Sequence, residues 1–443
     1  MVTRSMRSKS QGGGGEVTRA VAQDMTLEAA PDPEEETYPG DRGELSACIV
    51  LTGSFLALFP SFGLMVSIGT IQEYWQSHQL ADFSSRDIGW ISGVFVYLAL
   101  ALGICAGPLF DRYGPRMMML ISSIAYIAMV FLLAQCSKYW HFMLCLGLLG
   151  GPAAAALTTT GLAVVSHWFR VRRGLASGIA MVGSSFGGVL IPLLMRHCLP
   201  RYGYAWSVKI LAFMFAACLI ASNLLIRARF PPSPHANKSK IFSLELFGRG
   251  DFTFLTLSVF GIEVVLFGTL GILPTFASLS TDYPPSTGFH LIALLNGVSC
   301  FGRILPGYIS DYVGRFNTLL AMMVATLIFT LVVWLPFGTT SLGALYAFAA
   351  LFGFGTGTWM AMVPATIATL SGPHHFGRYF GTSYFIASLA TLICIPISGE
   401  LVQSVSPKAL IGFYCVVLFT SIGLFSASRW YLLGRKWKWF AIV

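Results

Sequence analysis

The sequence predicts an all-α membrane protein with twelve transmembrane helices in two six-helix pseudo-repeats. Three observations point there. Hydrophobic residues fill 55% of the 443 positions and charged residues only 11%, with a mean hydropathy of +0.71. A water-soluble domain carries about 25% charge. The apolar residues fall into runs long enough to cross a ~30 Å hydrocarbon layer. One short motif also returns 200 positions later, at the same place in each half.

The chain opens with a polar tail, residues 1–45. Asp and Glu total 19, and nine of them lie here: Glu16, Asp24, Glu28, Asp32, Glu34, Glu35, Glu36, Asp41 and Glu44. The tail also holds Gly12–Gly15 and no apolar core of signal-peptide length, so it reads as a disordered cytoplasmic leader. Spanning helices are then expected at 46–71, 88–110, 117–135, 140–165, 174–196 and 205–226, the first six-helix bundle (46–226). A polar cytoplasmic linker, 227–251, contains Pro231-Pro232-Ser233-Pro234. The second bundle (252–432) is expected to hold spans at 252–277, 289–310, 317–336, 342–366, 379–401 and 409–432. Prolines within spans, such as Pro60 and Pro192, are compatible with helices packed against neighbours. The last segment, 433–443, carries Arg435-Lys436-Trp437-Lys438-Trp439-Phe440. It reads as a basic-aromatic anchor at the lipid headgroups.

Net charge +9 does not indicate nucleic acid, because the bases lie between apolar runs. With both termini cytoplasmic, the inner loops gather Arg112, Arg116, Arg170, Arg172, Arg173, Arg227, Arg229, Arg249, Arg315 and Arg378. The outer loops hold far fewer bases, and the positive-inside rule selects this orientation. The expected location is the plasma membrane, with a vacuolar or other organelle membrane as the alternative. The nine cysteines sit mostly inside apolar runs and none forms CxxC. They read as small buried hydrophobes, with neither a disulfide framework nor a metal site expected.

The repeated motif is Gly107-Pro-Leu-Phe-Asp111-Arg112-Tyr-Gly114 and Gly307-Tyr-Ile-Ser-Asp311-Tyr-Val-Gly314. Each copy sits where the second helix of a bundle reaches the cytoplasm. Two parallel halves of this kind are a known transporter architecture. The first copy, extended to Pro115-Arg116, resembles the loop 2–3 signature of the major facilitator superfamily. Trp168-Phe169-Arg170-Val-Arg172-Arg173-Gly174-Leu175-Ala176-Ser177-Gly178 is similar to the helix-5 entry of the monocarboxylate transporter family. Ser61-Phe62-Gly63 in helix 1 and Asn296-Gly-Val-Ser299-Cys-Phe-Gly302-Arg303 in helix 8 resemble its fungal members. The resemblance covers residues 46–432. It implies alternating access, with Asp111, Arg112, Arg116, Arg173, Asp311 and Arg315 as gating residues on the cytoplasmic side. Lactate-type members carry a lysine near the position of Val66 and an aspartate where this chain has Ser299. Two of the three charges tied to proton-coupled lactate movement are therefore missing.

Only Glu263 among the acids and Arg303 among the bases lie well inside a span. An ionised group there costs at least ~2.5–3.5 kcal/mol, so it faces the bundle interior and needs a partner. A carboxylate solute would partner Arg303; an internal Glu263–Arg303 pair is the structural alternative. Glu263 is also the proton-coupling candidate. Asn296, Ser299 and Arg303 fall at i, i+3 and i+7 and share one helical face. Phe62 and Trp359 are candidates for stacking on a ring.

The expected function is secondary transport of a small organic solute, a monocarboxylate or related organic acid, with proton symport possible. An exporter or importer of a larger or neutral ring compound, a secondary metabolite or riboflavin-like molecule, is the alternative. A non-transporting nutrient sensor is the rival from another class. No ATP-binding loop, cofactor motif or clustered catalytic set is present, so enzyme chemistry is not expected. The expected partners are a small-molecule solute and the lipid bilayer.

Overall fold

A computed structural model describes residues 38–83, 85–229, 244–278, 287–371, 375–436 and 441. The tail through residue 37, most of the linker (230–243) and positions 437–440 of the C-terminal anchor lie outside the described residues. Pro39–Val443 forms a single unit.

Ten continuous helical stretches among the described residues are long and apolar enough to span a membrane. Two of them exceed a single pass: Asp87–Leu133 has 47 residues and Arg173–Leu225 has 53. At 1.5 Å per residue these would run about 70–80 Å, against the ~30 Å of hydrocarbon. Each contains one glycine with a left-handed backbone, Gly114 (φ 76, ψ 173) and Gly203 (φ 71, ψ 175). A side chain disfavours that conformation, and one such residue redirects a helix. Divided there, the described residues hold twelve spanning helices. They are α1 (Leu45–Ser77), α2 (85–113), α3 (115–133), α4 (139–168), α5 (173–202), α6 (204–225), α7 (Gly250–Ser278), α8 (Thr287–Val313), α9 (Arg315–Phe337), α10 (Leu342–Ser371), α11 (376–405) and α12 (Pro407–Leu432).

Each expected span lies on one of these helices, within two residues at the ends. Most helices run longer than expected, because capping and loop chemistry end a helix, not the edge of the hydrocarbon. At α12, for example, Ser406 Oγ accepts the Ala409 N–H at 3.0 Å and Pro407 follows, a standard helix start. The second copy of the motif also ends on a positive-φ glycine, Gly314 (φ 100). The repeat therefore extends to the backbone turn after α2 and after α8.

The burial pattern is that of a chain in lipid. Ile121, Leu148, Leu224 and Phe419 are exposed, while Ser54, Ser61, Thr160 and Thr356 are fully buried or nearly so. Inside, hydroxyls return to the backbone one turn earlier, as Ser61 Oγ does to the Ala57 carbonyl at 2.8 Å. Others bridge helices, as Tyr126 Oη does to the Pro60 carbonyl at 3.0 Å. In a medium without water such bonds stand in for solvent; the Ser54 and Thr160 hydroxyls make none. Within the halves α1 packs on α5 and α8 on α10; α5 meets α8 and α2 meets α11 between them.

Candidate functional site at the seams between the bundles

The two halves touch along two seams related by the internal repeat. On one, Gly107 of α2 lies against Gly377 of α11, and a Cβ on Gly107 would run into the Gly377 carbonyl. On the other, Gly307 of α8 lies against Gly174 of α5, where a Cβ would sit 2.8 Å from the Gly174 carbonyl. Absent side chains let the backbones meet.

The motif carboxylates close both seams at the same end of the molecule. Asp311 accepts the Gly174 N–H at 2.7 Å and the Leu175 N–H at 3.0 Å. Asp111 accepts the Arg378 N–H at 3.2 Å. Each aspartate thus reaches from its own half to the first turn of a helix in the other half. A carboxylate satisfies otherwise orphaned N–H groups there and meets the positive end of the helix dipole, which is worth ~0.3–2 kcal/mol.

The other expected gating residues divide. Arg315 crosses the seam, donating from Nη2 to the carbonyls of Arg170 (2.7 Å) and Val171 (3.2 Å) and from Nη1 to Thr369 (3.1 Å). Arg173 is buried within its own half and donates to the Phe169 carbonyl at 3.1 Å. Arg112 and Arg116 are exposed, the Arg112 guanidinium lying 5.0 Å from the Tyr113 ring centroid. Asp41, read from sequence as one of the tail acids, joins this end. Its carboxylate accepts the N–H groups of Arg170, Val171 and Arg172 at 2.9–3.1 Å. The loop that Arg315 grips by its carbonyls is therefore held by Asp41 through its amides.

Deeper in the α5–α8 seam lies the polar stripe. Arg303 is 1% exposed. Its Nη1 donates to the Met181 carbonyl and to Ser184 Oγ, and its Nη2 points at Met360 Sδ, 3.1 Å away. Its Nε has no partner. Ser299 Oγ meets Ser185 Oγ at 2.6 Å. Asn296 packs where a Cβ on Gly188 would reach it, and its Nδ2 has no partner. The three stripe residues therefore face α5 together, across the boundary between the halves.

Glu263 is buried on α7. Among the described residues the ion pairs are Arg249–Asp251 at 2.7 Å and Arg378–Glu245 at 3.9 Å, and none joins Glu263 to Arg303. The internal pair weighed from sequence is not formed. Phe62 is buried on α1. Trp359 is fully buried on α10, edge-on to Phe352, with its indole N–H unpartnered. It is next in sequence to Met360, which touches Arg303. The α5 half of the site, Met181, Ser184, Ser185 and Gly188, escaped the sequence reading. Its signal was the continuation of small residues after Gly174 and Gly178.

Residues 50–393 match the family described as Major Facilitator Superfamily. The chain is 31% identical to the riboflavin transporter MCH5 of Saccharomyces cerevisiae, over 98% of this chain and 87% of that one. It is 33% identical to the aspyridones efflux protein apdF of Emericella nidulans, over 88% of this chain and 77% of that one. The crystal structure of the human organic anion transporter MFSD10 (TETRAN) superposes with a TM-score of 0.70 at 15% identity, covering 86% of this chain and 98% of that one. Neither fungal relative is named as a monocarboxylate carrier, so the finer branch expected from the motifs is not what these likenesses carry. The twelve-helix fold, its two-half repeat and these matches agree that the chain belongs to the Major Facilitator Superfamily.

Proposed function

We propose that this protein is a secondary transporter of a ring-bearing organic solute with acidic or strongly polar groups, moved by alternating access through the α5–α8 seam. One observation carries the reading: Arg303 is buried between the two halves with no carboxylate among the described residues against it. A guanidinium stays charged, and at membrane depth it calls for an anionic or polar partner. The solute supplies it. Asn296, with its free Nδ2, and the Ser185–Ser299 pair offer further polar contacts beside it. Relatives named for riboflavin and aspyridones favour a cargo larger than lactate. So do Val66 and Ser299, which stand where lactate carriers have charges.

Asp111, Asp311 and Arg315 hold the molecule closed at one end. We place that end at the cytoplasm, with both termini on the same side, because the bases concentrate there. Opening it breaks these contacts and draws α8 from α5, which frees Arg303 from Met181 and Ser184. Glu263 is the residue proposed to carry a coupled proton, since it is a buried carboxylate with no ion-pair partner among the described residues. The plasma membrane is the proposed location.

Uptake of labelled flavins, aromatic acids and aliphatic acids into vesicles holding the purified protein tests this. A ring-bearing compound should be carried by the wild type and not by Arg303→Ala. Equal rates for the two proteins would remove the site. Flux of short aliphatic acids alone would return the cargo to the monocarboxylates. Transport with an unchanged pH dependence in Glu263→Gln would remove the proton role.

A further inference from the structure

At the end of the first half opposite Asp111, two thiols are brought together by packing. Helix α3 finishes at Leu133, and the chain turns through Ala134–Lys138 into α4. Cys136 lies in that turn and donates to the Leu132 carbonyl at 3.4 Å. Cys145 lies two turns into α4 and donates to the Met129 carbonyl at 3.1 Å. Met129 and Leu132 are three residues apart on α3, so their carbonyls are neighbours on one helical face. Both sulfurs therefore hang over that face as neighbours. Both are 8% exposed, and both are free thiols in this structure. Cys145 sits inside Met143–Gly150, a π-helical stretch at the start of α4. Tyr204 of α6 closes the surroundings, bonding the Leu133 carbonyl at 3.2 Å and the Trp75 indole at 2.9 Å.

We propose that Cys136 and Cys145 form a disulfide in the mature protein, a modification site that ties the irregular start of α4 to the end of α3. From sequence alone all nine cysteines read as separate buried hydrophobes, because nothing in a nine-residue offset across a turn shows two sulfurs meeting. One thiol in the turn and one on the helix that follows it, both held over neighbouring carbonyls of α3, are placed for the close approach a disulfide needs. The bond forms by exchange with an oxidised dithiol catalyst of the secretory compartment. The catalyst's disulfide takes the two electrons and two protons of the thiols and leaves as a dithiol. The compartment follows from the orientation proposed above: with the Asp111 end cytoplasmic, this end faces the oxidising side of the membrane.

Lys138 lies between the two cysteines, so trypsin separates them into the peptides 117–138 and 139–170. The full chain is produced in a eukaryotic membrane, quenched in acid, denatured and alkylated with a maleimide. The result expected is seven alkylated thiols of the nine, nine after reduction, and the two peptides joined until reduced. Cys136→Ser and Cys145→Ser should each leave all eight remaining thiols free. Nine free thiols in the wild type, or a bond between other cysteines, would overturn the proposal. A protease-sensitive tag on the N-terminus reads the orientation separately in intact cells. A shielded tag with nine free thiols defeats the disulfide alone. An exposed tag defeats the orientation whatever the thiol count.

Discussion

The two seams between the bundles share a backbone plan and differ in chemistry. Both bring glycines into contact, and both close under an aspartate that caps a helix of the other half. The repeat aligns Asn296, Ser299 and Arg303 of α8 with Val96, Ala99 and Gly103 of α2. All six are buried. One seam is therefore a polar interface carrying a full charge; the other is apolar and closely packed. A purely structural hinge would have no reason to place a guanidinium in one copy only. Under the proposed function this difference corresponds to closure at both seams and recognition at the α5–α8 seam alone.

That contrast can be broken at several points. Arg303→Ala should have the largest effect. Truncating one partner of a buried hydrogen-bonded charge costs about 2–5 kcal/mol, and if that shows in recognition, uptake should fall by at least ~30-fold. Full folding, read by size exclusion in detergent, should accompany the loss. Next is Gly107→Ala. Its Cβ meets backbone, not a movable side chain, and overpacking of this kind costs about 1–3 kcal/mol. It should open the Asp111 end, read as faster labelling of a cysteine placed beside Asp111, while the solute binding proposed for Arg303 persists. Asp311→Asn should loosen its seam more than Asp111→Asn loosens the other, because Asp311 holds the Gly174 and Leu175 amides at 2.7 and 3.0 Å, shorter than the 3.2 Å from Asp111 to the Arg378 amide. The difference in the same labelling assay should correspond to about 0.3–1 kcal/mol, the scale of a charge at a helix terminus. Gly103→Ala should be the quietest. The added Cβ would lie 3.7 Å from Thr159 Oγ1 and 3.8 Å from Gly381 Cα, ordinary contacts, so uptake and thermal stability should stay near wild type.

The part of this contrast visible in the sequence was local. Hydropathy placed the spans, and the motif spacing revealed two halves. The i, i+3, i+7 pattern put Asn296, Ser299 and Arg303 on one face. What those residues face was not visible. Ser184 and Ser185 lie 119 and 114 positions from their partners in α8, and only the packing of two helices brings them together. Asp41 was hidden for another reason: it sits among tail acids, and composition cannot separate a solvated carboxylate from one that holds three amides. The Glu263–Arg303 pair looked natural because they are the two charges deep in the spans. Charge scarcity says that a partner is needed, but helix orientation decides which one is met.

The sharpest test of recognition at the polar seam is ligand-dependent thermal stabilisation, measured side by side on the wild type, Gly103→Ala and Arg303→Ala with flavins and aromatic acids. The contrast between the seams predicts a ligand that raises the midpoint of the first two proteins and leaves Arg303→Ala unchanged. An equal shift in Arg303→Ala would contradict it and move the solute site away from the α5–α8 seam.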